Sequence, residues 1–202
     1  NAILNKIISN IKSLKSHGII LCDFRHGIFN KSTINKIVNS IPKNVFKSAD
    51  SQVASRWGNI VEFKGFDLIT PNEREARFSL ADQDSTVGNL SSMLLEKTLS
   101  KNLIMKLGSR GIFCSKSKRS KKNNDFFSLD SFAKNIVDPV GAGDALMAYS
   151  SLALIVGESL EVAAILGSLA AAIECEKDGN IPITLNDVKI RLSLLKKSLY
   201  DK

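Results

Sequence analysis

No stretch of this 202-residue chain holds the roughly 18 consecutive apolar residues that a membrane-spanning helix needs. The opening NAILNKIISNIKSLK also lacks the basic, then apolar, then small-residue order of a secretory leader. Cysteine is scarce. The three present, Cys22, Cys114 and Cys175, are far apart and sit among apolar or helix-forming neighbours, which favours reduced core thiols over a disulfide framework and points to a cytoplasmic chain. There are two histidines, His17 and His26, so no histidine set has metal-ligand spacing. No G-x-G-x-x-G opens a βαβ unit, which disfavours a nicotinamide-dependent dehydrogenase. Internal repeats are absent as well.

What is present is an ordinary globular composition. At 44% hydrophobic residues the chain can bury one sizeable core, and a single domain over 1–202 is expected. The net charge of +8 would suit nucleic acid, but its densest part, KSKRSKKNN at 116–124, carries Lys116, Lys118, Arg119, Lys121 and Lys122 with no aromatic for base stacking. A solvated loop between two strands accounts for it, and no nucleic-acid or membrane partner is expected.

Periodicity alternates between helical and extended. Ile3, Leu4, Ile7, Ile8, Ile11 and Leu14 recur at helical spacing before the buried strand GIILCD at 18–23. Ile34, Ile37, Val38 and Ile41 mark a second helix, followed by the strand NVFKSAD at 44–50. FDLIT at 66–70 leads through Pro71 into a helix starting near Asn72, residues 88–100 read as helix, and NLIMKL at 102–107 as a central strand. GIFCSK and DFFSLD predict an antiparallel hairpin at the sheet edge. Helices over 142–156, 159–176 and 184–199 complete the chain, the last with Leu185, Val188, Leu192 and Leu195 on one face. The pattern is that of an α/β fold with a largely parallel sheet and helices on both faces.

Ligands of such sheets bind beyond the carboxyl ends of the strands, and four strand-following segments stand out. In NIVDPVGAGDALMAY, Gly141 and Gly143 allow a tight turn with exposed N–H groups at a helix start, an anion cradle. Asp144 at the same end could take a proton from an incoming hydroxyl, although the helix terminus keeps it ionised and limits its strength as a base. For phosphoryl transfer positioning matters more than base strength. The plainer account is a turn with Asp144 as a capping residue. In DLITPNEREAR, Asn72 and Glu75 are neighbours on one helical face, a donor set that suits hydrated Mg²⁺ and equally an ordinary helix N-terminus. In MKLGSRG, Gly108 and Gly111 break the chain after a strand and would let a nucleotide approach the backbone. In CDFRHG, Asp23, Arg25 and His26 follow the first strand, and a lone loop histidine is more often structural than a ligand.

Taken together and in order, TPNERE, KLGSRG and DPVGAGD resemble the C-terminal part of the ribokinase-like (PfkB) carbohydrate kinases. DFRHG, ADSQ and DLITPN are similar to the branch that includes the heptose-7-phosphate kinase domain. The resemblance implies a ribokinase-like, Rossmann-like three-layer sandwich whose N-terminal part and lid lie outside this chain, so that a truncated domain is expected. It implies ATP-dependent phosphorylation of a sugar or sugar-phosphate hydroxyl, with ATP and Mg²⁺ as cofactors. Asp144 takes the place of the catalytic base, and Gly141, Ala142 and Gly143 that of the anion hole. Asn72 and Glu75 match the Mg²⁺-organising pair. Lys106, Gly108 and Gly111 match positions lining the nucleotide, and Asp138 one that in some members shapes a monovalent-cation loop, for which K⁺ is the candidate ion. A homodimer is among the assemblies the resemblance allows. Pro139 replaces the usual hydroxyl residue, and Gln52 stands where the heptose-kinase branch more often has lysine. The rival expectation is a non-catalytic module that keeps the fold for nucleotide sensing or oligomer formation.

Overall fold

A computed structural model describes residues 2–52, 59–117, 125–179 and 181–200. Lys118, Arg119, Lys121 and Lys122 of the basic stretch lie outside the described residues. The chain divides into two compact units, the first comprising Asn1–Lys106 and Phe113–Phe127, the second Leu107–Ile112 and Ser128–Lys202.

The first unit carries helix α1 (Ala2–Ser13), strand β1 (Gly18–Asp23), α2 (Lys31–Ser40), β2 (Phe46–Ser51), β3 (Leu68–Ile69), α3 (Glu73–Leu80), α4 (Val87–Thr98) and β4 (Asn102–Lys106). Strands β5 (Ile112–Lys116) and β6 (Phe126–Leu129) complete a six-stranded sheet in the order β1-β2-β3-β4-β5-β6. The first four strands are parallel, with Gly18 opposite Phe46, Ser48 opposite Leu68 and Leu68 opposite Asn102. At β4 the chain folds back. Ser117 N donates to Lys101 O at 2.8 Å and Lys116 N to Asp125 O at 3.2 Å, so β5 and β6 return antiparallel, as the hairpin reading expects.

Consecutive apolar residues in these strands are buried on both sides of the pleat. Leu68, Ile69, Leu103, Ile104 and Met105 are all fully enclosed, which is why their segments read as unbroken apolar runs rather than as alternation. Phe63 and Phe66, also fully buried, meet edge to face at 5.7 Å between ring centroids. Strand β3 is shorter than the FDLIT reading. Its pairing nevertheless extends past the named residues, since Thr70 N donates to Ala49 O at 3.1 Å and Lys106 N to Pro71 O at 2.9 Å. That extension carries Pro71 and Asn72 out to the carboxyl edge beside Lys106.

The second unit holds α5 (Ala142–Ile155), α6 (Leu160–Cys175) and α7 (Leu185–Tyr200). Helices α5 and α6 form a close antiparallel pair. Gly167 permits the approach, because a Cβ there would fall 2.1 Å from Ser150 Oγ and 2.8 Å from Leu146 O, and Ser150 Oγ donates to Ala163 O at 2.9 Å. Val188 of α7 packs on Ala170 and Ile173 of α6, with Tyr149 and Ile183 alongside. The face of three leucines and one valine expected on α7 is only partly used. Val188 is buried, whereas Leu185 and Leu192 are exposed, because α6 offers a short apolar patch that one turn of α7 covers.

None of the three cysteines is in a disulfide; Cys114 is fully buried. Among the described residues no helix is long and apolar enough to cross a membrane.

Candidate functional site

In the first unit the polar residues that follow β1 to β4 meet along the carboxyl edge of the sheet. Asp23 ends β1 and is buried. Its carboxylate accepts from Arg25 N at 2.9 Å, Arg25 Nη1 at 2.7 Å and, across the strand pair, Ser51 Oγ at 3.0 Å. Arg25 adopts a left-handed backbone with φ of 62°, which turns its side chain back over the strand end. Asp50, next to the end of β2, receives Lys106 Nζ at 2.6 Å, so the lysine at the end of β4 reaches across β3 to its partner. Both members are largely buried, so the pair is shielded from solvent. His26 is exposed.

Asn72 caps α3. Its Oδ1 accepts from Glu75 N at 2.8 Å, and Glu75 Oε2 accepts from Asn72 N at 2.7 Å, a reciprocal capping box. Asn72 also faces Lys106 in an isolated parallel bridge, so the capped end of α3, Lys106 and Asp50 are neighbours. Glu75 is 4% exposed, which places a carboxylate under the first turn of α3 rather than out in solvent.

The glycines after β4 have different tasks. At Gly111, with φ of 83°, an added Cβ would lie 2.0 Å from Leu129 O, so the room left by the absent side chain is filled by β6. At Gly108, with φ of 63°, the surrounding space is open. The close approach expected of both glycines is therefore available at Gly108 only.

In the second unit the chain turns into α5 through Asp138–Gly141. Asp138 Oδ1 accepts from Val140 N at 2.9 Å, and Pro139 O accepts from Ala142 N at 3.3 Å. Pro139 thus sits inside this turn. Gly141 is the N-cap residue, with φ of 87° and ψ of −19°, and no side chain caps the helix. Only Gly141 takes the left-handed turn. Gly143 is already helical, contrary to the reading in which both glycines bend the chain; what it contributes is an uncovered first-turn N–H. Asp144 is the third residue of α5 and exposed, so it is not the cap either.

Behind this turn, Val137 N and Asp138 N both donate to Cys175 O, at 2.7 and 3.1 Å, tying the start of α5 to the end of α6. Burial pushes the Cys175 thiol up, and the nearby carboxylates of Glu174, Glu176 and Asp138 push it the same way. Among the described residues no three His, Cys, Asp or Glu side chains converge as a ready metal cluster.

The model of the pfkB family carbohydrate kinases matches residues 29–186, more than half of the chain. The chain belongs to the pfkB family of carbohydrate kinases. It is similar to the bifunctional protein HldE of Sulfurimonas denitrificans, with 25% identity over 98% of this chain and 40% of that protein. HldE of Aliarcobacter butzleri is 29% identical over 96% of this chain and 40% of its own length. The chain therefore spans about 40% of these curated relatives. Among solved structures, phosphofructokinase-2 from Escherichia coli in complex with potassium shares the fold with a TM-score of 0.79 at 14% identity, covering 96% of this chain and 62% of that one. Ribokinase from Thermotoga maritima gives 0.72 at 24% identity, covering 92% and 59%.

The pfkB membership agrees with the order of TPNERE, KLGSRG and DPVGAGD along the chain. Two contacts escaped the reading of the sequence, the Asp50–Lys106 pair and the bond from Ser51 to Asp23. Their one signal was an aspartate at the end of each of two successive strand patterns, GIILCD and NVFKSAD.

Proposed function

We propose that this pfkB domain belongs to an ATP-dependent kinase that transfers the γ-phosphoryl group of ATP to a hydroxyl of a sugar or sugar phosphate, as the similarity to the HldE proteins suggests. The carrying observation is the start of α5, where a left-handed Gly141 without a capping side chain is followed within one turn by an exposed carboxylate. The first-turn N–H groups of an uncapped helix attract anionic oxygens. Gly141, Ala142 and Gly143 would face the transferring phosphoryl group, and Asp144 would accept the hydroxyl proton as the acceptor oxygen attacks phosphorus. The acceptor thereby becomes a better nucleophile while the backbone donors steady the negative charge spread over the equatorial oxygens.

Lys106 and the open backbone at Gly108 would line the nucleotide. Mg²⁺ fits the first unit through water. Glu75 provides a buried carboxylate, while the amide oxygen of Asn72 is committed to the capping box, so the pair would organise the ion's hydration shell rather than ligate it directly. When bound, Mg²⁺ neutralises charge on the phosphate oxygens. Asp138 would border a monovalent-cation loop, as potassium in the phosphofructokinase-2 complex makes plausible. The test is turnover of Asp144→Asn in the full-length protein against a panel of sugars and sugar phosphates with Mg-ATP. A fall of about 10²- to 10⁴-fold with ATP binding retained is expected, and unchanged turnover would overturn the reading.

A further inference from the structure

Thr70 is fully buried, and its Oγ1 has no hydrogen-bond partner. A buried hydroxyl left unmade is uncommon and costly, so its surroundings bear on what it does. The register fixes them. Ala49 lies opposite Ile69 and Ile69 opposite Leu103, Thr70 N donates to Ala49 O, and Asn72 bridges Lys106. One rung beyond Ala49 and Ile69, Thr70 therefore stands between Asp50 of β2 and Ile104 of β4, with Lys106 two residues further along β4. Neighbours on one rung share a face, and so do residues two apart on a strand, so Asp50, Thr70 and Lys106 project from the same side of the sheet. The lysine that reaches Asp50 across β3 crosses it on the face that Thr70 occupies.

Both oxygens of Asp50 are engaged. Oδ2 receives Lys106 Nζ at 2.6 Å, and Oδ1 accepts from Ser51 N at 3.1 Å. A lysine held in this way serves an incoming anion poorly, because its charge is already matched by the carboxylate. It also leaves at a cost, since Asp50 is 6% exposed and a buried carboxylate stripped of its cation is strongly unfavourable. A second donor on the same rung removes that obstacle. Thr70 supplies one O–H, and with neighbouring strands about 4.8 Å apart a rotation about χ1 turns it toward Asp50. A triphosphate, with several negative charges, outcompetes for the ammonium a single carboxylate that keeps Ser51 N and gains the hydroxyl.

We propose that Asp50, Thr70 and Lys106 form an exchange device. In the nucleotide-free protein Asp50 holds Lys106; when nucleotide phosphate draws the ammonium away, Thr70 Oγ1 donates to Asp50 in its place. Asp50 and Thr70 are then positioning residues, which act on the nucleotide through Lys106 without touching it. The hydroxyl that is unmet in the free protein is met in the other state. The proposal rests on the kinase reading for the identity of the anion, and nucleotide binding is read without sugar, so that failure of phosphoryl transfer and failure of the exchange are separate outcomes.

The experiment is calorimetric titration of Mg-ATP into the full-length protein and into Thr70→Val, Thr70→Ser, Asp50→Asn and the double variant Asp50→Asn/Thr70→Val, with thermal unfolding of each in the absence of nucleotide. Thr70→Val removes the replacement donor and should raise the ATP dissociation constant about 10-fold, the scale of one hydrogen bond to a charged group. It should unfold at the wild-type temperature or above, because the hydroxyl it deletes has no partner in the free protein. Thr70→Ser keeps the hydroxyl and should keep wild-type affinity. Once Asp50→Asn has removed the charge, adding Thr70→Val should cost little further affinity. Equal ATP affinity in wild type and Thr70→Val would overturn the exchange alone. A penalty that persists in full on Asp50→Asn would overturn it too, since Thr70 would then meet the nucleotide itself, as would a Thr70→Val protein that unfolds well below wild type, which would show the hydroxyl already bonded in the free state. Wild type that binds no Mg-ATP would sink the kinase reading and the exchange with it.

Discussion

The carboxyl edge of β1 to β4 and the turn at the start of α5 both collect carboxylates, and they treat them oppositely. Along the edge Asp23 is held by Arg25 and Ser51, Asp50 by Lys106, and Glu75 by the backbone of Asn72. At the turn Asp144 stands exposed, and Glu174 is buried with one oxygen unmet. Carboxylates that are paired within the chain contribute mainly to stability. Those turned to solvent at a helix N-terminus, or buried without a partner, are costly or neutral for stability and so point to a ligand.

The sharpest way to break this contrast is to measure stability and turnover side by side. Asp144→Asn should lower turnover by the 10²- to 10⁴-fold already given while shifting the urea midpoint little, since substitutions at exposed positions usually stay within about 0.5 kcal/mol. Lys106→Met should destabilise first of all. It leaves Asp50 buried without its partner, which costs about 3 kcal/mol, the lower end of the range for broken buried pairs because Lys106 is partly exposed. The double variant Asp50→Leu/Lys106→Met should recover most of that loss in a double-mutant cycle, whereas additive losses would show that the pair is not the source of the effect.

The same contrast explains what could be read from the sequence. Strands β1, β2 and β4 and the helices α1 to α7 of the described residues were legible because their signals are local, in apolar runs, helical spacing and breaker residues. The GAGD turn was legible because a glycine before a helix is a local demand on φ, and Gly141 meets it at 87°. Gly143 was misread because two glycines one residue apart look alike in sequence, and only the folded chain decides which one bends. The Asp50–Lys106 pair depends on a register in which β2, β3 and β4 lie side by side, and no local pattern encodes a partner 56 residues away. Helix α7 shows the reverse failure. Its amphipathic spacing was real, but spacing states which residues share a face and not how much of that face another element covers.

Substitutions in the capping box separate its stabilising role from a metal role. Asn72→Ala removes the cap and should cost about 1 kcal/mol. Glu75→Gln keeps the reciprocal bond, because glutamine also serves at the third helical position, and should leave stability nearly unchanged. Its loss of charge should raise the Mg²⁺ concentration for half-maximal activity. An unchanged Mg²⁺ titration would assign Glu75 to the cap alone.

The smallest expected effects test whether the contrast belongs to the site or to the units as wholes. Each unit has an aspartate whose carboxyl is held low by a backbone N–H group, Asp82 in the loop before α4 and Asp187 in the first turn of α7. Asp82 accepts from Ser85 N at 2.9 Å and Asp187 from Thr184 N at 2.9 Å, and in both cases that backbone bond is the leading cause of a pKa below the ordinary carboxylate value. A carboxyl group whose folded value is depressed contributes stability above its unfolded value of about 4, and loses it as pH falls through the folded value. Asp82→Asn and Asp187→Asn should therefore each lower the urea midpoint slightly at pH 7, and the difference from wild type should fade below about pH 4. Equal behaviour in the two units would confine the contrast to the residues around Asp144 and Glu174. A loss that persists unchanged at low pH would mean that asparagine disturbs the local backbone by shape, and that the charge on the aspartate is not what holds the N–H group.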